Sequence, residues 1–184
     1  MPSGPTLVHE ASECEIEDSL LLIDKLLCQN FCSGRVKMNS QAHAHRLRSG
    51  RHSQSGQIYI WTTVTQNRVP VFDDFPNART LIGVLRDQQR LEHAKTLAFV
   101  VMPDHLHWLM QLGPQVTLSV CMRNVKTLSA LRIGRPIWQN GFHDHAIRQE
   151  EDLPSVARYV VSNPVRAGLV VKTAQYPHWD AIWV

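Results

Sequence analysis

The amino-acid sequence predicts an α+β fold: a ferredoxin-like sandwich with a four-stranded antiparallel sheet, helices on one face, and one added helix toward the C-terminus. Three observations lead there. Four segments read as strands: Gln57 to Gln66, Lys95 to Met102, His105 to Leu112 and Phe142 to Arg148. Two amphipathic helical segments fall between them, giving the order strand, helix, strand, strand, helix, strand. The second and third strands are separated only by Pro103-Asp104, a break short enough for a hairpin.

Each element has its own signal. Gln57 to Gln66 is rich in β-branched and aromatic residues and has turn residues on both sides. A loop with Pro70 follows, and Asp73 or Asp74 is placed to cap a helix. Ala78, Leu81, Ile82, Leu85, Gln89 and Leu91 then carry the 3.6-residue period to about His93. The hairpin strands end at Gly113-Pro114. Thr117 is the expected cap of a second helix reaching about Ile133, with Leu118, Cys121, Val125, Leu128 and Leu131 at its apolar positions. Pro136 and Trp138 lie in the loop that leads to the fourth strand. The acidic run Gln149 to Asp152 suits the N-terminus of a third helix, and Pro154 fits its first turn. That helix should pass through Tyr159 and end or kink at Ser162 or Asn163, because Pro164 removes a backbone donor and crowds its predecessor. The tail from Leu169 shows no periodicity, although Trp179 and Trp183 require packing.

The chain of 184 residues divides into an N-terminal extension (1–54) and a catalytic domain with a C-terminal tail (55–184). In the extension a short amphipathic helix is expected from Leu20 to Phe31, followed by a basic, hydrogen-bonding arm with Arg46, Arg48 and Arg51. Such an arm suits phosphate contacts or serves as a solvated linker. The formal charge of +3 permits a nucleic-acid partner without requiring one. Arg123, Lys126 and Arg132 on the second helix are further candidates for DNA contact. Three of the four cysteines lie before residue 33, so no disulfide framework is expected in the main domain, and reduced thiols and a cytoplasmic location follow. No signal peptide is visible, and the apolar run from Leu20 to Leu27 is too short for a bilayer, so no membrane partner is expected.

The chemistry concentrates in two stretches. His105 and His107 flank Leu106 on a strand, so both imidazoles share one face and Leu106 takes the other. Two imidazoles so placed can hold one divalent metal, although spacing alone is equally consistent with two structural histidines. Tyr159 and Asn163, four apart, share a helix face. Asn163 would add an amide oxygen, and a two-nitrogen, one-oxygen set suits magnesium or manganese once phosphate and water complete the shell. Tyr159 would be the nucleophile, since a metal-polarised phosphate offsets the weakness of a phenol; the plain alternative is a core aromatic. His143 and His145 form a rival pair around Asp144.

Met102-Pro103-Asp104-His105-Leu106-His107-Trp108-Leu109 resembles the His-hydrophobic-His motif of the single-tyrosine HUH transposases. The run from Tyr159 through Asn163-Pro164-Val165-Arg166-Ala167-Gly168 to Val170 resembles their tyrosine helix, and Trp138 to Arg148 is similar to the REP-associated tyrosine transposase branch. The resemblance covers about Ile58 to Val170. It implies cleavage and rejoining of single-stranded or hairpin DNA with Mg2+ or Mn2+, through a covalent 5′-phosphotyrosine. His105, His107 and Asn163 become metal ligands and Tyr159 the nucleophile. Relatives act as monomers or homodimers, and a bacterial, nucleoid-associated enzyme is implied. The alternative is a domesticated protein that binds hairpin DNA without cutting it; a metal hydrolase of small substrates would want a further acid or base.

Overall fold

The computed structural model describes residues 53–148 and 152–183. The expected helix at Leu20 to Phe31, the arm with Arg46, Arg48 and Arg51, and the acidic run Gln149 to Glu151 lie outside the described residues.

The described elements follow the expected order: β1 (Ile58–Val64), α1 (Phe75–Arg90), β2 (Ala94–Met102), β3 (His105–Leu112), α2 (Leu118–Ile133), β4 (His143–Ala146) and α3 (Leu153–Arg166). A further strand, β5 (Trp179–Ala181), was not expected. The sheet runs β4-β1-β3-β2-β5 with every neighbouring pair antiparallel. Its first four members have the split β-α-β arrangement, and β5 extends the sheet beyond β2. Three residues are too few to show a period, which is why this strand is silent in the sequence.

Capping decides where the helices begin. Asp74 accepts from the Asn77 amide at 3.0 Å, and Thr117 accepts from the Val120 amide at 3.3 Å. Gly134 closes α2 in the left-handed conformation, φ 84°. On one face of the sheet Tyr59, Trp61, Phe99, Val101, Leu106, Trp108 and Met110 meet Leu81 and Leu85 of α1 and Met122 and Val125 of α2. Each such side chain contributes about 1.5–3 kcal/mol by leaving water. The Trp61 and Trp108 rings meet edge to face, 5.9 Å between centroids.

The third helix differs from expectation in two ways. It packs on β2, β3 and β5, and none of its buried residues joins the cluster under α1 and α2. It therefore covers the opposite face of the sheet. It also continues through Pro164 to Arg166 instead of stopping at Asn163. Proline has no N–H for the Val160 carbonyl one turn back. The Asn163 side-chain amide donates to that carbonyl instead, at 2.9 Å. Asp152, the residue before Leu153, accepts from the Ser155 amide and caps the helix at its start.

Candidate active site

Strand register builds the site. His105 pairs with Val64 and Met102, and His107 pairs with Thr62 and Val100. Leu106 points into the core under α1 and α2, so both histidines point to the face that α3 covers. Their rings stand at 90° with centroids 4.8 Å apart, and the two Nε2 atoms approach to 3.1 Å.

The opposite nitrogens are tied down. His105 Nδ1 lies 2.5 Å from Asp104 Oδ1, and His107 Nδ1 lies 2.8 Å from Thr62 Oγ1. Each ring is thus anchored by one nitrogen and presents the other to a shared point. Without an ion, a neutral pair can close this gap only by sharing one proton. Two ligands at right angles on a cation, with bonds of about 2.1 Å, sit about 3.0 Å apart. The observed separation therefore fits a divalent ion held by both Nε2 atoms, with outer anchors of the kind that orient metal-ligating histidines.

The electrostatics agree. Burial drives the His107 pKa well below the usual histidine value, and the charges of His105 and Arg166 push the same way. His107 is 4% exposed and is held neutral, the form that can ligate a metal. Burial works against the charge of Asp104. Hydrogen bonds and charge from His105 and then Arg68 outweigh it, so the carboxyl stays below its ordinary range.

Tyr159 is half-buried on α3. The Arg166 guanidinium lies over its ring, 4.2 Å from the centroid, and the same charge is felt at His107. Arg166 thus ties the tyrosine side of the helix electrostatically to the histidines. Asn163 is 7% exposed, and its amide nitrogen is engaged with Val160 and, at 3.4 Å, with Tyr159. Only its Oδ1 remains for a ligand's role. Among the described residues no cluster of three or more His, Cys, Asp or Glu side chains could hold a metal, so a third protein ligand would have to be of another type.

The expected DNA contacts fall elsewhere. Arg123, Lys126 and Arg132 sit on α2, across the sheet from the histidines. Lys126 donates to the carbonyls of Gln139 and Gly141, both at 2.6 Å, and fastens the loop before β4. Arg132 pairs with Asp87 of α1 at 2.7 Å. Arg123 is exposed. A groove of about 590 Å³ runs between the end of α2 and that loop, also away from the histidines. On β4, His143 lies opposite Thr62 and shares its face, whereas Asp144 lies opposite Trp61 and takes the α1/α2 side. Sequence reasoning missed Thr62 and Arg68 as partners of the site. Asp104 carries a signal in the sequence, its place directly before the histidine pair.

A family model described as "Transposase IS200 like" matches residues 53–163. The chain belongs to this family. It is 28% identical over 151 residues to a Haemophilus influenzae protein assigned to the REP-associated tyrosine transposases, spanning 70% of this chain and 81% of that one. The Escherichia coli REP-associated tyrosine transposase is 34% identical over 83 residues, 44% of this chain and half of that protein. A solved REP-associated tyrosine transposase bound to a REP hairpin superposes with a TM-score of 0.62 and 26% identity, over 70% of this chain and 79% of that structure. These matches make the chain a DNA-processing protein of the transposase type. Among the described residues no helix is long and apolar enough to cross a membrane.

Proposed function

We propose that this protein cleaves and rejoins single-stranded DNA at a hairpin through a covalent 5′-phosphotyrosine. The observation that carries this reading is the pair of anchored histidines, Nε2 to Nε2 at 3.1 Å, on the sheet face covered by the Tyr159 helix. His105 and His107 would hold a Mg2+ or Mn2+ ion, with Asn163 Oδ1 as the third protein ligand. When bound, the ion supplies polarisation of the scissile phosphate and relief of charge on the leaving oxygen.

The chain's own residues do the rest. Tyr159 loses its phenolic proton to solvent as its oxygen bonds to phosphorus. The bond from phosphorus to the 3′ oxygen breaks, and that oxygen takes a proton from solvent to become a free 3′ hydroxyl. The phosphotyrosine retains the energy of the broken diester, so the reverse attack by a 3′ hydroxyl reseals the strand. Arg166, over the tyrosine ring, adds positive charge beside the nucleophile. The likeness to a transposase bound to a REP hairpin supports hairpin DNA as the partner. One copy of the fold carries the histidines and the tyrosine helix, which supports action as a monomer or a homodimer. The expected location is the bacterial cytoplasm, on the nucleoid.

The test is an adduct assay. The protein is incubated with end-labelled hairpin oligonucleotides and Mg2+ or Mn2+, then resolved on a denaturing gel. A protein–DNA band that disappears with EDTA and with Tyr159→Phe is expected. Hairpin binding with no adduct under any metal would replace the reading with that of a non-cutting DNA-binding protein.

A further inference from the structure

Two consecutive links lead outward from His105. Its Nδ1 meets Asp104 Oδ1, and the second carboxylate oxygen, Oδ2, accepts from Arg68 Nη1 at 2.9 Å. Arg68 belongs to the loop after β1, 36 residues before Asp104. That loop grips Asp104 at its backbone as well. The Thr65 amide donates to the Asp104 carbonyl at 2.8 Å, and the single Thr65 hydroxyl proton is shared between Val69 O at 2.7 Å and Asp104 O at 3.0 Å. The loop achieves this at a conformational cost. Asn67 and Arg68 both adopt the left-handed region, at φ 53° and 52°, which side chains beyond glycine and asparagine rarely enter. An arginine there turns its side chain back toward the sheet end, where Asp104 sits half-covered at 20% side-chain exposure.

We propose that Arg68 is a positioning residue for the metal centre, acting through Asp104 to hold the His105 ring with its Nε2 aimed at the ion. The inference rests on the metal-site reading given above. A carboxylate held by one oxygen can rotate about its bond to the chain; held by both oxygens, it cannot. With Asp104 fixed, the His105 Nδ1 proton has one direction, and the ring plane follows. His107 reaches the same end with the neutral Thr62 hydroxyl. The two ligands therefore differ: His107 is set by burial within the sheet, whereas His105, at the start of β3 and 16% exposed, depends on a chain of charged groups.

The experiment reads metal binding without DNA or catalysis. Free Mn2+ is followed by electron paramagnetic resonance during titration of the full chain. Arg68→Gln should weaken Mn2+ binding about tenfold, the scale found when an outer partner of a metal ligand is lost. In an Asp104→Asn background the same change should cost less than about twofold, because the path is already cut. If Arg68→Gln does not fold, Arg68→Lys takes its place. It keeps the charge without the planar fork, and a loss of about threefold that vanishes in the Asp104→Asn background is expected. Binding unchanged by either Arg68 variant, or a loss that persists undiminished with Asp104→Asn, overturns the inference. His107→Ala separates this from the parent reading. If it abolishes Mn2+ binding while Arg68→Gln does nothing, only the inference falls. If Mn2+ uptake does not depend on His107, both fall.

Discussion

The two faces of the sheet are built on different physics. Under α1 and α2, strand residues bury rings and aliphatic chains against each other, and the buried Ser129 hydroxyl links the Trp138 indole to the Val125 carbonyl. Under α3, the buried Thr62, His107 and Asn163 each hold or replace a hydrogen bond that the fold needs. The first face derives stability from area removed from water. The second buries a threonine, a histidine and an asparagine, each held by a hydrogen bond, and a proline inside a helix. The difference separates two tasks: one face should govern whether the chain folds, the other what it does.

That contrast can be broken by experiment. The largest effect is expected from Tyr159→Phe, which should lower adduct formation at least about a thousandfold while shifting stability by no more than about 1 kcal/mol. Quantitative gels and urea unfolding check the two halves separately. His105→Ala should lower cleavage by about a hundredfold or more and leave hairpin affinity largely intact. Equal loss of binding would make the histidine a scaffold residue and erase the distinction. On the other face Leu81, fully buried, sets the converse case: Leu81→Ala should cost about 2–5 kcal/mol in urea unfolding, with activity per folded molecule unchanged.

Smaller effects sharpen the picture. Asn163→Ala should cost about 1–3 kcal/mol by leaving the Val160 carbonyl without its donor. Adding Pro164→Ala restores a backbone N–H one turn on, so the double variant should recover most of that loss. Cleavage that recovers alongside would mean that Asn163 only repairs the helix. Cleavage that stays low despite restored stability would support its role as ligand. The smallest effect concerns Cys121, whose thiol burial pushes up to about 12. At pH 8 the thiol is protonated in all but roughly one molecule in ten thousand. Peptide-level mass spectrometry should find Cys121 unalkylated in native protein and fully alkylated after denaturation.

Legibility in the sequence followed the length of the interactions involved. Strand and helix periods are local, so β1 through α3 could be read in order, and so could the shared face of His105 and His107. The capping residues Asp74 and Thr117 were equally local. What escaped depends on contacts between distant segments. Thr62 joins the site only because β1 and β3 pair in one register. Arg68 reaches Asp104 only through an unusual backbone conformation. The continuation of α3 past Pro164 rests on one side chain substituting for an amide, a detail no propensity records. The partners of Lys126 and Arg132, two loop carbonyls and Asp87, are likewise set by contacts that the sequence does not show. The extension before residue 53 remains an expectation from composition.

The short β5 strand carries a consequence for biosynthesis. It pairs with β2 through Ala98 to Ala181 and Val100 to Trp179, about eighty residues apart in the chain. On the ribosome β2 can pair early with β3, its hairpin partner, but its outer edge stays bare until Ala181 has emerged. An unpaired strand edge with apolar neighbours is a template for other nascent chains. This end of the sheet is therefore open to mispairing throughout the synthesis of α2, β4 and α3, and docking of β5 covers it.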